Sequence, residues 1–270
     1  MKAFKKPLFA FAVFLLIQVA ISLVLVFPIT MVSGFIKAAQ GEDISAIAAS
    51  DPSSLIPTTA LAIVLIVSSV ISIFVMQKPM KMVTLKESFA LPTIPAWKCV
   101  LYVVAAFVGI YATDIISEIM DLPNLIEAEL GDMSKTVLGI LAIAIVGPLA
   151  EEVVFRGAIM GHFLKEGFSP AKAIFWSALM FGIMHFNPAQ VPFAMVVGLI
   201  LGMFYWKTGS LFLPCLIHMI NNATSCILSD TMGEDFSLVE PLGGTMPALA
   251  VAALAACVCV FALSKLAKEE

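Results

Sequence analysis

The chain has 270 residues, of which 61% are hydrophobic and only 13% are charged, and its mean hydropathy is +1.04. This composition excludes a water-soluble globular domain, because so much apolar surface needs the bilayer as its solvent. The net charge of −4 says little about partners, but the absence of the clustered Lys and Arg of a nucleic-acid footprint argues against a nucleic-acid partner. We therefore expect an all-α, multi-pass protein of the cell membrane.

Windows of about 20 apolar residues predict a bundle of about eight transmembrane helices. The predicted spans are residues 7–32, 58–77, 99–120, 136–160, 170–187, 190–206, 210–228 and 245–264. The first run is too long for the core of a cleavable signal peptide, so we expect it to remain as a membrane helix. The fifth to seventh spans are short and punctuated by prolines, so one of them is a candidate re-entrant segment.

Charge placement predicts that both termini are cytoplasmic. With the N-terminus inside, the outer loops carry only two lysines, Lys37 and Lys135, and the rest lie in cytoplasmic segments, as the positive-inside rule requires. We divide the chain into N-terminal scaffold helices (1–135), a catalytic core (136–228), and an outer loop with a C-terminal membrane helix (229–270). A chain this compact, without an organellar targeting segment, is expected in a bacterial plasma membrane.

The fourth span contains the least expected residues of the chain. Glu151 and Glu152 lie inside an apolar run and are followed by Arg156, the only arginine in the sequence. An ionised group in hydrocarbon costs at least about 2.5–3.5 kcal/mol, so three together must be paired, hydrated or used. Glu152 and Arg156, four residues apart on one helix face, form a natural ion pair. Because that pair leaves Glu151 over, the stretch indicates a functional site.

Two histidines and an asparagine extend this site to other spans. His218 and Asn222 share a face of the seventh span, and His185 lies on the fifth, four residues after Phe181. A chamber lined by Glu151, His185, His218 and Asn222 would hold a water for which a carboxylate acts as general base. Asp114 and Glu118, near the outer end of the third span, are interpreted as interfacial residues.

The three groups resemble the motifs of a known family. Residues 151–156 match an EExxxR motif, Phe181 to His185 an FxxxH motif, and His218 to Asn222 an HxxxN motif. In this order and in membrane helices, they resemble the CPBP family, which includes the type II CAAX prenyl proteases of the Rce1 kind and the bacterial Abi and bacteriocin-processing or immunity proteins. The resemblance covers about residues 136–228.

The resemblance implies an intramembrane endopeptidase that acts on a prenylated CAAX protein or on a leader or bacteriocin peptide. It implies that Glu151 activates water and that Glu152 and Arg156 support it. It also implies that His185 is catalytic or a ligand and that His218 and Asn222 bind the oxyanion. Glu151, His185 and His218 would be the ligands of a divalent metal, zinc for example. A metal-free mechanism with a glutamate base and an oxyanion pocket is the equal alternative.

Two other functions remain open at the level of the sequence. A non-enzymatic immunity or partner-binding membrane protein would keep the fold and tolerate loss of Glu151. A transporter or proton relay would also use buried Glu and His. The two halves of the chain show no inverted repeat, however, and the intramembrane polar residues follow residue 150 almost without exception.

Overall fold

The computed structural model describes residues 2–43, 45, 55–232 and 237–268, and in these ranges the regular structure is helical without strands. The main helices are α1 (Lys2–Ala39), α2 (Thr58–Gln77), α3 (Leu85–Ser88), α4 (Ala96–Met120), α5 (Glu127–Ser134), α6 (Val137–Lys165), α7 (Pro170–Ile183), α8 (Val191–Thr208), α9 (Phe212–Met232) and α10 (Thr245–Leu266). The predicted all-α fold is confirmed. Residues 33–39, which follow the first predicted span, continue α1, and residues 44 and 46–54 before the second span lie outside the described ranges.

Within the described ranges, seven helices are long and apolar enough to cross a membrane: α1, α2, α4, α6, α8, α9 and α10. The chain is therefore a multi-pass membrane protein. The fifth predicted span, 170–187, is the shorter helix α7 of 14 residues. At 1.5 Å per residue it is about 21 Å long, whereas the hydrocarbon core is about 30 Å thick. Helix α7 thus ends before it can cross by itself.

The turn after α7 explains why the helix stops. Phe186 has φ +49°, a left-handed conformation that costs a non-glycine residue roughly 1–2 kcal/mol, and Pro188 follows two residues later. The side-chain oxygen of buried Asn187 accepts a bond from the backbone N–H of Leu125 at 3.1 Å, and the backbone N–H of Ala189 donates to a carbonyl of the same 121–126 loop. These contacts hold the turn in its strained form.

Helix α6 is the centre of the bundle and departs twice from α-helical geometry. Its segments Leu141–Val146 and Val153–Met160 are π-helical, and the α-helical turn Gly147–Glu152 lies between them. Every residue of Val153–Met160 is buried, against α1, α2 and α7 among others. Because π-helical turns are frequently found at functional sites, α6 is a candidate location for one.

Contacts between chain segments define one face of the bundle. The backbone N–H of Leu211 donates to Ser88 O at 2.6 Å, which joins the α8–α9 turn to the α2–α4 linker. The ring of Phe4 packs on Phe163 and Phe168, which brings the N-terminal end to the α6–α7 junction. We call this side the lysine-rich face.

The C-terminal end lies on the same face, because Lys207 Nζ donates to Ala267 O at 3.2 Å. The lysine-rich face carries Lys5, Lys6, Lys78, Lys81, Lys86, Lys98, Lys165, Lys172, Lys207, Lys265 and Lys268. The opposite, lysine-poor face contains the 121–126 loop, the 184–190 turn, Lys37 and Lys135. The two ends of the described chain therefore share a face, and its assignment to the cytoplasm stays a prediction.

Candidate active site

The buried centre of the site is a three-residue cluster. Oε1 of Glu152 accepts hydrogen bonds from Arg156 Nη1 at 2.8 Å and from His218 Nδ1 at 2.9 Å. Glu152 and Arg156 are 0% exposed and His218 is 5% exposed. The Glu152–Arg156 pair expected from the i,i+4 spacing is thus present. The additional bond to His218 connects α6 to α9 and makes Glu152 the hub of the cluster.

Arg156 is held from two further directions. Its Nη2 donates to the backbone carbonyl of Gly198 on α8 at 3.1 Å, and its guanidinium lies 4.5 Å from the ring centroid of Phe181 on α7. A planar guanidinium meets such separate partners at fixed angles, which an ammonium group does not. Among the described buried side chains, only Glu152 Oε2 and Arg156 Nε have no hydrogen-bond partner. The cation is therefore fully buried and serves to fix α6, α7 and α8 together.

The hydrogen bond at Nδ1 of His218 shows that this ring nitrogen carries a proton. Glu152 accepts at the same oxygen from Arg156, so it is the acceptor for His218 and Nδ1 carries the proton. The other nitrogen, Nε2, lies 3.6 Å from Oε2 of Glu151. The two neighbouring carboxylates of α6 thus approach opposite nitrogens of one imidazole. Glu152 fixes the ring, and Glu151, whose side chain is 16% exposed, lies on its accessible side.

His185 differs from its predicted position. It lies in the turn after α7 rather than on the helix, so its relation to Phe181 is not that of two residues on one helical face. Its Nδ1 donates to Phe181 O at 2.9 Å, which leaves Nε2 without a proton on the neutral ring. Phe181 also packs edge-on against His185 and His218, with centroid distances of 5.1 and 5.6 Å. The phenylalanine of the second motif therefore positions both histidines, a role that the sequence analysis did not assign.

Asn222 is tied to the π-helical part of α6. Its Nδ2 donates to Ile143 O at 3.0 Å, and its Oδ1 accepts from Asn221 Nδ2 at 3.2 Å. The amide has a second N–H that this bond does not use. Asn222 is therefore oriented by backbone while it keeps one donor.

One cavity of about 270 Å³ brings the predicted residues together. Glu151, His185, His218 and Asn222 all line it, whereas Glu152 and Arg156 lie behind its wall. The sequence analysis missed several polar residues that also line this cavity: Thr113, Asp114, Ser117, Gln190 and Asn221. Asp114 was interpreted as interfacial because it lies near a helix end, yet it was detectable as an ionisable residue within an apolar span. Its companion Glu118 instead binds the 237–239 segment through three hydrogen bonds.

The predicted metal ligands are Glu151, His185 and His218. In the described part of the chain, no three His, Cys, Asp or Glu side chains form a group that could hold a metal ion. The Nδ1 bonds of His218 to Glu152 and of His185 to Phe181 O do not argue against a metal, because a metal-binding histidine usually donates its other ring N–H to a carboxylate or carbonyl. The side chains of Glu151, His185 and His218 nevertheless do not form such a three-ligand group in this arrangement. The metal itself stays a prediction.

A larger apolar groove adjoins the cavity. It has a volume of about 840 Å³ and lies between α4 and α10 on one side and α7 and α8 on the other. Thr113 and Phe193 line both the groove and the cavity. An apolar chain held in the groove would therefore lie directly beside the polar groups around Glu151.

Comparisons with known proteins agree with the motifs. Residues 133–224 match the family model for Rce1-like type II CAAX prenyl endopeptidases, a range that includes all three motifs. The chain is 32% identical over 95 residues to the membrane-embedded CAAX protease MroQ of Staphylococcus aureus (strain USA300), which covers 33% of this chain and 38% of that protein. It is 30% identical over 92 residues to the putative membrane peptidase YdiL of Bacillus subtilis (strain 168), covering 34% and 37%.

The chain thus spans less than two fifths of the length of these two curated relatives. No solved structure matches. The family resemblance drawn from the three motifs is confirmed over the matched segment, which extends from α5 to the middle of α9.

Proposed function

We propose that this protein is an intramembrane endopeptidase in which Glu151 activates a water molecule. The observation that carries the proposal is the cavity in which Glu151 meets His185, His218 and Asn222. The match of this segment to a family of membrane peptidases supports the reaction class. A carboxylate that lines a polar cavity inside an apolar bundle has the position required of a general base.

The first step would form the tetrahedral intermediate. Glu151 takes a proton from the water as the water oxygen attacks the peptide carbonyl, and His185 Nε2 accepts the second hydrogen bond of the water. Arg156 balances the charge of only one of the two carboxylates, so a proton on His218 Nε2 would balance the other. Nε2–H of His218 and the second N–H of Asn222 would then donate to the oxyanion.

The second step would cleave the bond. Protonated Glu151 returns its proton to the amide nitrogen as the C–N bond breaks, which releases the amine and the new carboxylic acid. Glu152 stabilises the imidazolium of His218 throughout, because its Oε1 is the acceptor for Nδ1–H at 2.9 Å. The proton that Glu151 takes from the water in the first step is thus returned to the leaving nitrogen in the second. Every catalytic group in the scheme is a side chain of this protein.

The apolar groove would bind the hydrocarbon part of a substrate. A prenylated protein or a leader peptide with an apolar segment would lay its hydrocarbon part between α4, α10, α7 and α8 and present its peptide bond at Thr113 and Phe193. The groove is compatible with both substrates, since neither its volume of about 840 Å³ nor its apolar lining distinguishes a prenyl chain from aliphatic side chains.

The test is cleavage of prenylated CAAX peptides and leader-type peptides by purified protein, with wild type beside Glu151→Gln and with or without a strong chelator. Cleavage that the variant lacks and that survives the chelator is the expected result. Loss of cleavage in chelator, restored by zinc, would replace the metal-free scheme with a metallopeptidase. Equal cleavage by wild type and Glu151→Gln would refute the role of Glu151. A folded wild type that cleaves no peptide of the panel would favour a binding or immunity function.

A further inference from the structure

The candidate site lies in one half of the bundle. Helix α4 contributes lining residues from Ile110 to Ser117, in the half that ends at Met120, and α8 contributes residues from Phe193 to Val197, in the half that begins at Val191. Both of these helix ends belong to the lysine-poor face. The cavity therefore extends inward from that face, and the lysine-rich ends of α4 and α8 are remote from it.

Exposure shows where the cavity opens. The side chain of Glu152 is 0% exposed, those of His218 and Glu151 are 6% and 16% exposed, and Asp114 is exposed. The exposed fraction of these side chains therefore increases toward the lysine-poor end of α4. An exposed carboxylate on a membrane helix requires a water-filled surrounding rather than lipid. Asp114 therefore marks the mouth of the cavity.

The cavity wall contains one carboxylate, Asp114, that no cation among the described lining residues balances. Asp114 makes no hydrogen bond or ion pair with any described residue, and Glu151 has only His218 within ion-pair distance. Arg156, the single arginine, is buried behind the wall and is used by Glu152 and Gly198. No lysine lines the cavity. A ligand that brings a positive charge would complement this wall, and an anionic ligand would be repelled.

We propose that the cavity takes a cationic peptide segment that enters from the lysine-poor face, with Asp114 binding a Lys or Arg side chain close to the scissile bond. The inference rests on the proposed peptidase function and adds the chemical class of its substrate. By the positive-inside rule the lysine-poor face is extracytoplasmic, so the substrate reaches the site from outside the cell. Asp114 is a specificity residue in this scheme, and Glu151 performs the chemistry.

Charge selectivity is tested with three fluorogenic peptides that are identical except for Lys, norleucine or Glu beside the scissile bond. Wild type is expected to prefer the Lys peptide over the norleucine peptide by about tenfold or more in kcat/KM, the effect of a hydrogen bond to a charged group. Asp114→Asn should bring this ratio close to one, and Asp114→Lys should favour the Glu peptide. A wild type without preference, or an unchanged ratio in Asp114→Asn, would overturn the proposal.

The matched control is Asp121→Asn. It removes one negative charge from the same face without touching the cavity, and asparagine tolerates the left-handed conformation of this residue, φ +43°. It should keep the wild-type ratio. If wild type cleaves none of the peptides, equilibrium binding of the same three peptides by fluorescence anisotropy still tests Asp114. The proposed peptidase function and the proposed charge preference can therefore be refuted independently of each other.

The side of entry is tested by labelling in spheroplasts with a membrane-impermeant maleimide. Ser117→Cys, in the cavity wall, should react, and Lys86→Cys, on the lysine-rich face, should react only after the membrane is opened. The background lacks the five native cysteines and is used only if it keeps wild-type cleavage or peptide binding. The opposite labelling pattern would overturn entry from outside.

Discussion

His218 on α9 donates its Nδ1 proton to Oε1 of Glu152 on α6 over 2.9 Å, although the two residues lie 66 positions apart in the chain. The same oxygen accepts from Arg156. The second glutamate of the EExxxR motif is thus the orienting partner of the histidine of the HxxxN motif. This leaves the first glutamate, Glu151, as the carboxylate that faces the cavity.

Glu151→Gln should abolish cleavage and leave the fold intact. The substitution is isosteric at a side chain that is 16% exposed and makes no hydrogen bond in the described part of the site, so the free energy of unfolding should change by no more than about 1 kcal/mol. Removal of a general base should lower kcat by about 10² to 10⁴-fold. Turnover and denaturation in detergent measure the two effects, and a strongly destabilised variant would show that Glu151 is structural.

Arg156→Ala should destabilise the protein by about 3–5 kcal/mol, because it leaves the buried carboxylate of Glu152 without its cation. Arg156→Lys should rescue it only in part, since an ammonium group cannot reach Glu152 and Gly198 O with the geometry of the guanidinium. The measurement is denaturant unfolding in detergent.

The matched control for Arg156 is Lys135→Ala, which breaks the exposed pair of Lys135 with Asp132. It should cost less than about 1 kcal/mol. If Arg156→Ala is as stable as this control but inactive, then the arginine contacts the substrate or the reacting atoms instead of fixing the helices.

The double variant Glu152→Gln/Arg156→Met separates stability from orientation. Glu152→Gln alone should be strongly destabilised, because it leaves a buried cation unpaired, and the second substitution should restore most of that loss. Activity should stay low, since an uncharged amide supports the imidazolium of His218 less well than a carboxylate does. Unfolding free energy and kcat are measured for both single variants and the double variant. Recovery of activity together with stability would contradict an orienting role for Glu152.

Gly198→Ala should impair both stability and activity. A Cβ at this position would lie 3.0 Å from Ala178 Cβ and 3.2 Å from a ring carbon of Phe181, so α7 and α8 would have to separate. Such overpacking costs about 1–3 kcal/mol and would move the carbonyl that binds Arg156.

Gly202→Ala is the control for Gly198, one turn further along α8. The three atoms nearest to its new Cβ all belong to the side chain of Ile174, the closest at 3.1 Å. It should lower stability less and leave kcat close to that of wild type. Equal losses of kcat in the two variants would show that helix spacing in general, rather than the Gly198 carbonyl, is what matters.

Asn222→Ala should lower kcat by about 10² to 10³-fold, the usual effect of removing one oxyanion donor. Asn221→Ala removes the 3.2 Å bond to Asn222 and one polar side chain of the cavity lining, and it should have a smaller effect. The comparison is made on kcat at saturating peptide. Equal losses would indicate that the two amides act as one binding unit for the substrate.

Much of the site could be predicted from the sequence because the bilayer makes polar residues conspicuous. An ionisable or amide side chain in an apolar span is costly, so Glu151, Glu152, Arg156, His185, His218 and Asn222 were identifiable as candidates before any contact was known. The Glu152–Arg156 pair was predictable as well, since i,i+4 spacing on one helix is local information. Asp114 was less conspicuous, because a carboxylate near the end of a membrane helix is also explained by contact with water at the membrane surface.

The sequence by itself determined the all-helical membrane fold, the approximate spans and the residue types of the site. Hydropathy and helical periodicity depend only on neighbours along the chain. The tertiary structure decided that Glu152 binds His218, that Glu151 faces the cavity, that α7 stops before His185, and that Asp114 lines the same cavity. These facts depend on how helices far apart in sequence pack and rotate against one another, and no local pattern encodes that arrangement.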